Sequence, residues 1–170
     1  MGARKPWCAV FVLILLVLAD TLAASPPRRR DTEQDLLARI QREPDPIKKA
    51  KLEVRLGRVK LLESMAACDQ GNIEETNRLL GAYIETLNDA WERLQNSGRV
   101  AHKKSSGFKE LDIELREDAR YLEDLRHRLP YAERGRTEKV AGEVDQLRNE
   151  VLKELFPPMP LRKGGDKSTR

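Results

Sequence analysis

Apolar residues recur at three- and four-residue spacing through most of this chain, and helix-ending residues bound each such stretch. Between Pro46 and Asp69 the stripe is Leu52, Leu56, Val59, Leu62 and Ala66, which is one face of an α-helix. A second stripe, Ile73, Leu80, Ile84, Leu87, Trp91 and Leu94, predicts another long helix ending at Asn96-Ser97-Gly98. Asp69-Gln70-Gly71-Asn72 separates the two. Gly71 suits a left-handed C-terminal cap, and Asn72 with Glu75 three residues later reads as a capping box for the second helix. So short a turn between two long amphipathic helices packs them antiparallel, as a hairpin over 46–97.

The same pattern continues on either side. Residues 98–107, rich in Gly, Ser and Lys, read as a loop. Phe108, Leu115, Leu122 and Leu129 then recur every seven residues, with Leu111 and Leu125 completing the seam and Asp118 between them. Pro130 and Gly135 mark a break. A further helix carries Val140, Val144, Leu147, Val151 and Leu155 before Phe156-Pro157-Pro158 stops it, giving a second hairpin over 108–156. Upstream, Asp31 or Thr32 caps a short helix carrying Leu36, Leu37 and Ile40. Glu43-Pro44-Asp45-Pro46 ends it, because proline disfavours helix in the residue before it. Asp45 and Pro46 also form a good N-cap and first-turn pair. The predicted fold is all-α: antiparallel helical hairpins forming a small helical bundle or a coiled-coil-like array, with the helical domain at 31–156. Residues 157–170 read as a disordered basic tail.

The N-terminal stretch has a different pattern. Arg4 and Lys5 precede an unbroken apolar run from Trp7 to Ala19, and small residues follow at Ala23, Ala24 and Ser25. A basic start, a greasy segment and a small-residue exit describe a secretory signal peptide over 1–24. The alternative is an uncleaved N-terminal membrane anchor, but a spanning helix needs about 20 apolar residues and Asp20 interrupts this one. Arg28, Arg29 and Arg30 in the flexible basic leader 25–30 would then also have to cross the membrane. The expected location is therefore secreted or periplasmic.

Charge follows the same division. The formal net charge is +4, yet Arg28–Arg30, Arg99, Lys103, Lys104, Arg162, Lys163, Lys167 and Arg170 all fall in the leader, the tail or the central loop. The helical body without them is acidic, so no folded cationic face is implied and nucleic acid is not an expected partner. Of the two cysteines, Cys8 leaves with the signal peptide. Cys68, beside the tight turn, reads as a small buried hydrophobe, with an intermolecular disulfide as the alternative.

Candidate chemistry is sparse. His127 lies four residues after Glu123 and reads as half of a surface ion pair; His102 lies in the basic loop. Glu117, Asp118, Glu123 and Asp124 form two acidic pairs that could face a divalent cation, but a solvated helix face accounts for them. Asp118 either sets register against an Arg or Lys of another helix or edges into water while Ala119 takes the seam; the second reading is favoured. Asp89–Arg93, Asp112–Arg116 and Asp124–Arg128 are expected as exposed pairs within single helices. Tyr83, Trp91 and Phe108 read as packing residues. No phosphate loop, nucleophile elbow or metalloprotease motif is present, so no catalytic, cofactor-binding or metal-binding residue is assigned and no enzyme activity or small-molecule substrate is expected.

Gly71-Asn72-Ile73-Glu74-Glu75, with Leu80 following, resembles the inter-helix turn of a tetratricopeptide repeat. The resemblance covers about 15 residues and has no second copy at the repeat's period. It implies a helix hairpin and carries over no peptide-binding function. The leading expectation is an exported, non-enzymatic helical protein acting through a protein partner, self-association, or an anionic membrane or wall surface met by its basic segments. The alternative is a periplasmic stress chaperone or metal-responsive helical binder.

Overall fold

The computed structural model describes residues 32–158. The expected signal peptide over 1–24, the leader 25–30 and the tail from residue 159 lie outside the described residues. Within them are five α-helices: α1 (Glu33–Arg42), α2 (Pro46–Asp69), α3 (Ile73–Gln95), α4 (Phe108–Arg128) and α5 (Gly135–Leu155), with a short 3-10 turn, Tyr131–Glu133, before α5. No described residue lies in a strand. The all-α hairpin architecture expected from the apolar stripes is the one observed.

Local chemistry sets each boundary. The Thr32 hydroxyl accepts the Asp35 amide at 3.2 Å to start α1. Asp45 accepts the amides of Ile47 and Lys48 at 2.8 and 3.2 Å to start α2, and this lowers the Asp45 carboxyl below its ordinary range. At the other end of α2, Gly71 has φ 73°. The Asn72 amide reaches back to the Ala67 carbonyl and the Gly71 amide to that of Cys68, both at 2.9 Å. This is the paired closure that a left-handed C-terminal residue permits. Asn72 then turns donor-acceptor roles around and accepts the Glu75 amide at 3.1 Å. Only that half of the capping box forms, because the Glu75 carboxylate goes to Arg78 instead, at 2.6–2.7 Å.

The helices α2 to α5 form a four-helix bundle. Adjacent pairs are α2–α3, α4–α5, α2–α4 and α3–α5, and α1 packs on the outside of α2. The α2–α4 contacts Arg58–Glu117, Arg58–Asp118 and Asp69–Arg128 have separations of 59, 60 and 59 residues, and a constant offset means the two helices run parallel. The two antiparallel hairpins are therefore stacked with like directions side by side. The α3–α4 connection, residues 96–107, has to cross the end of the bundle between diagonal positions, which accounts for its length.

That crossing is pinned at two points. Ala101 is buried. Gly107, at φ 93°, is a backbone conformation that glycine tolerates and other residues resist. A Cβ there would also lie 2.6 Å from Leu94 Cδ2. The Glu110 carboxylate accepts the Gly107 amide at 2.7 Å.

The main core joins Ile47, Val54, Leu61, Met65, the α3 stripe, the α4 heptad residues and Val140, Val144, Leu147, Val151 and Leu155. Two expectations for α2 change. Its main core face is Ile47, Ala50, Val54, Leu61 and Met65, while Leu52, Leu56 and Val59 pack on α1 through Leu36 and Ile40. A helix buried on two sides shows two overlapping stripes, and the stripe legible in the sequence was the outer one. Past the start of α1 that outer stripe is uncovered: Leu62 is 45% exposed and Ala66 is also exposed. No helix among the described residues is long and apolar enough to cross a membrane.

Candidate functional site

The chemically richest place in the bundle is the α2–α4 seam. Arg58 lies on α2 one turn past Val54, at the margin of the core face. Its Nε donates to Asp118 Oδ1 at 2.5 Å and stands 3.0 Å from Glu114 Oε1, while Nη2 donates to Glu117 at 3.2 Å. The guanidinium carbon lies 5.0 Å from the centre of the Tyr121 ring, within cation–π range. From α3, the Tyr83 hydroxyl donates to the second oxygen, Asp118 Oδ2, at 3.0 Å. Three helices thus converge on one carboxylate.

Asp118 is fully buried, which overturns the favoured sequence reading of an acid edging into water. The register-setting alternative holds, and its partner is Arg58. A buried acid is tolerable here because both oxygens accept strong hydrogen bonds. Burial still raises the Asp118 carboxyl above its ordinary value, with Arg58 and Tyr83 pulling the other way. Glu114 has less help. Burial pushes its carboxyl up to about 7, Arg58 opposes this, and the neighbouring Asp118 and Glu117 charges add to it. Burial also works against the Arg58 charge, but Asp118 and Glu114 more than offset it. Tyr83 is held well above the ordinary phenol range, first by burial and then by Asp118.

The same logic recurs at the other seams. Glu53 on α2 is buried and accepts Arg93 Nε on both oxygens, at 3.0 and 2.9 Å. Arg93 thereby leaves the expected Asp89 pair for a cross-helix one. Asp112 does pair with Arg116 at 2.8 Å, but it is nearly buried and also takes Arg148 of α5 at 3.2 Å. Arg128 turns from Asp124 to Asp69 of α2 at 2.9 Å. Arg93, Arg128 and Arg148 each take a carboxylate across a seam.

Other candidate residues fall where single-helix reasoning put them. His127 Nε2 lies 2.9 Å from Glu123, both well exposed. Trp91 and Phe108 meet edge to face in the core, with centroids 6.0 Å apart and planes at 88°. Cys68, expected as a small buried hydrophobe, is instead a free thiol only half-buried, its pKa raised by that burial. His102, Lys103 and Lys104 are exposed in the crossing loop. The four acids on α4 do not share one face toward solvent, since Glu117 and Asp118 turn to Arg58 and Glu123 to Arg126 and His127. Among the described residues no group of three or more His, Cys, Asp or Glu side chains is placed to hold a metal ion.

Sequence reasoning did not single out Arg58, Glu53 or Glu114. A signal existed for the first: Arg58 follows Val54 by four residues, so it borders the inner face of α2. That face was hidden behind the outer stripe. Comparison of the chain with protein-family models, curated proteins and solved structures finds no match.

Proposed function

We propose that this chain is an exported, non-enzymatic helical protein that acts by interaction, and that its first partner is a second copy of itself. The observation carrying this reading is the uncovered part of the outer α2 stripe, where α1 stops and Leu62 and Ala66 stand exposed. Solvent-facing apolar residues that continue a buried stripe support a helix-to-helix contact. Charge favours a like helix as the occupant. Arg55 and Asp69 lie seven residues before and after Leu62, on the same helix face. Antiparallel pairing about Leu62 sets Arg55 of each copy against Asp69 of the other, the self-complementary form of a twofold interface. Asp69 exchanges its exposed Arg128 contact, and Arg55 its present partner, in doing so.

Sedimentation equilibrium of the chain from residue 25 onward tests this. A concentration-dependent dimer is expected, lost in Leu62→Asp with an unchanged helical circular-dichroism spectrum. Arg55→Asp and Asp69→Arg should each weaken it, and the double charge reversal should restore it. A monomer at about 100 μM, the weak end of specific association, sinks the reading.

A second reading, an anionic envelope surface as partner, draws on the exposed Arg99, Lys103 and Lys104 of the crossing loop. Each charge near such a surface contributes about 1 kcal/mol at most. Cosedimentation with anionic but not neutral vesicles, reduced by reversing these three charges, is its measurement. For export itself, intact-mass analysis of the protein recovered outside the cytosol should give an N-terminus near Ser25.

A further inference from the structure

The α2–α4 seam places one guanidinium among three carboxylates, and only one of the three is fully enclosed. Asp118 has no exposure, Arg58 has 18% and Glu114 has 22% of its side-chain surface exposed. Asp118 is satisfied by Arg58 and Tyr83 together. Glu114 stands 3.0 Å from the same Arg58 Nε, and Glu117 takes Nη2. The groups around Glu114 are, from α2, Arg58 and Arg55; from α4 itself, Glu117 and Asp118; and from α3, Tyr83, reached through Asp118. Ionising all three acids puts three negative charges on this stretch of α4 against Arg58 and the exposed Arg55.

We propose that the Arg58–Glu114–Asp118 cluster is a proton-operated latch on the seam between the α2–α3 and α4–α5 hairpins, tight when Glu114 carries a proton and weakened when it ionises. As a neutral acid, Glu114 leaves Arg58 to the buried Asp118 charge and can itself donate a hydrogen bond. As an anion it competes with Asp118 for the same Nε and repels it along α4. Asp118 cannot move to solvent without dragging Tyr83 and the α3 contact with it, so the strain falls on the contact between hairpins. The loss comes as pH rises. A carboxyl raised in the folded state is fully stabilising below its unfolded value and loses that contribution as pH climbs through the folded one. Burial places that upper limit for Glu114 at about 7.

The test is the full chain unfolded in urea at pH 5 to 8, beside Glu114→Gln, with the Glu114 carboxyl carbon followed by NMR in the wild-type protein. The unfolding equilibrium constant of the wild type should rise about tenfold across this range, and that of Glu114→Gln less than about twofold, since about tenfold accompanies each unit of pKa displacement before solvent screening. The carboxyl midpoint should lie near neutrality. A midpoint near the ordinary glutamate value, or a Gln variant that keeps the whole slope, overturns the latch. Should Glu114→Gln fail to fold, the wild-type carboxyl titration decides alone. Neither readout depends on whether the α2 face pairs.

Discussion

Asp118 shows how a single residue can hold a fold's register without adding much to its net stability. Removing it leaves Arg58 half-buried without its closest anion and the Tyr83 hydroxyl, buried on α3, without an acceptor. Asp118→Ala should cost about 3–5 kcal/mol in urea unfolding, the range for breaking one side of a buried pair. Asp118→Asn keeps one acceptor oxygen for Arg58 and offers an amide that can donate to the Tyr83 hydroxyl oxygen, so it should cost clearly less. Equal losses for the two would mean that packing, and not pairing, sets the value. Gly107 is the other residue with no substitute. Its φ of 93° and the 2.6 Å approach of Leu94 Cδ2 to a would-be Cβ act together. Gly107→Ala should cost about 2 kcal/mol or more, against little at Gly142, where a Cβ meets nothing within 4 Å.

At the scale of elements, the turns carry testable weight. Asn72→Ala removes the acceptor for the Glu75 amide and should cost about 1 kcal/mol by thermal or urea unfolding. Gly71→Ala should cost a similar amount through its positive φ. These turns were readable from sequence because their chemistry is local: Asp45-Pro46 and Gly71-Asn72 state helix ends within a few residues. The α3, α4 and α5 stripes were readable because each of those helices buries one face. The inner face of α2 was not, because α1 on one side and the bundle on the other give it two overlapping apolar stripes. Two of the expected ion pairs were misread for a related reason. Periodicity places Asp89 beside Arg93 and Asp124 beside Arg128, but only the packed structure brings in Glu53 and Asp69. Partners 40 and 59 residues away leave no trace in a local window.

For the whole molecule, opposing titrations set the pH of greatest stability. Glu110 is lowered in the fold through Lys51 and the Gly107 amide, although burial opposes them. Its contribution is present above its unfolded value and is lost as pH falls through the folded one. Glu114 and Asp118 are raised, so theirs is lost as pH rises. The melting temperature should therefore peak near about pH 5, far below the sequence pI of about 9.1. A melting temperature that climbs steadily to pH 8 would contradict this assignment of signs. The basic pI arises largely from segments outside the bundle, so it has little bearing on the bundle's own stability.

The parallel stacking of the hairpins also bears on how the chain finds its fold. Contacts within each hairpin close over short stretches of chain, whereas the α2–α4 contacts require 59 or 60 residues to be brought together. Long closures are entropically costly and tend to be made after local ones. The hairpins should thus form first and dock late, with the diagonal crossing of residues 96–107 completed at docking. In φ-value terms, substitutions at the Gly71-Asn72 turn should slow folding, while truncation of Asp118 should mainly speed unfolding. The buried ion pair then has its main kinetic effect on how long the docked state lasts.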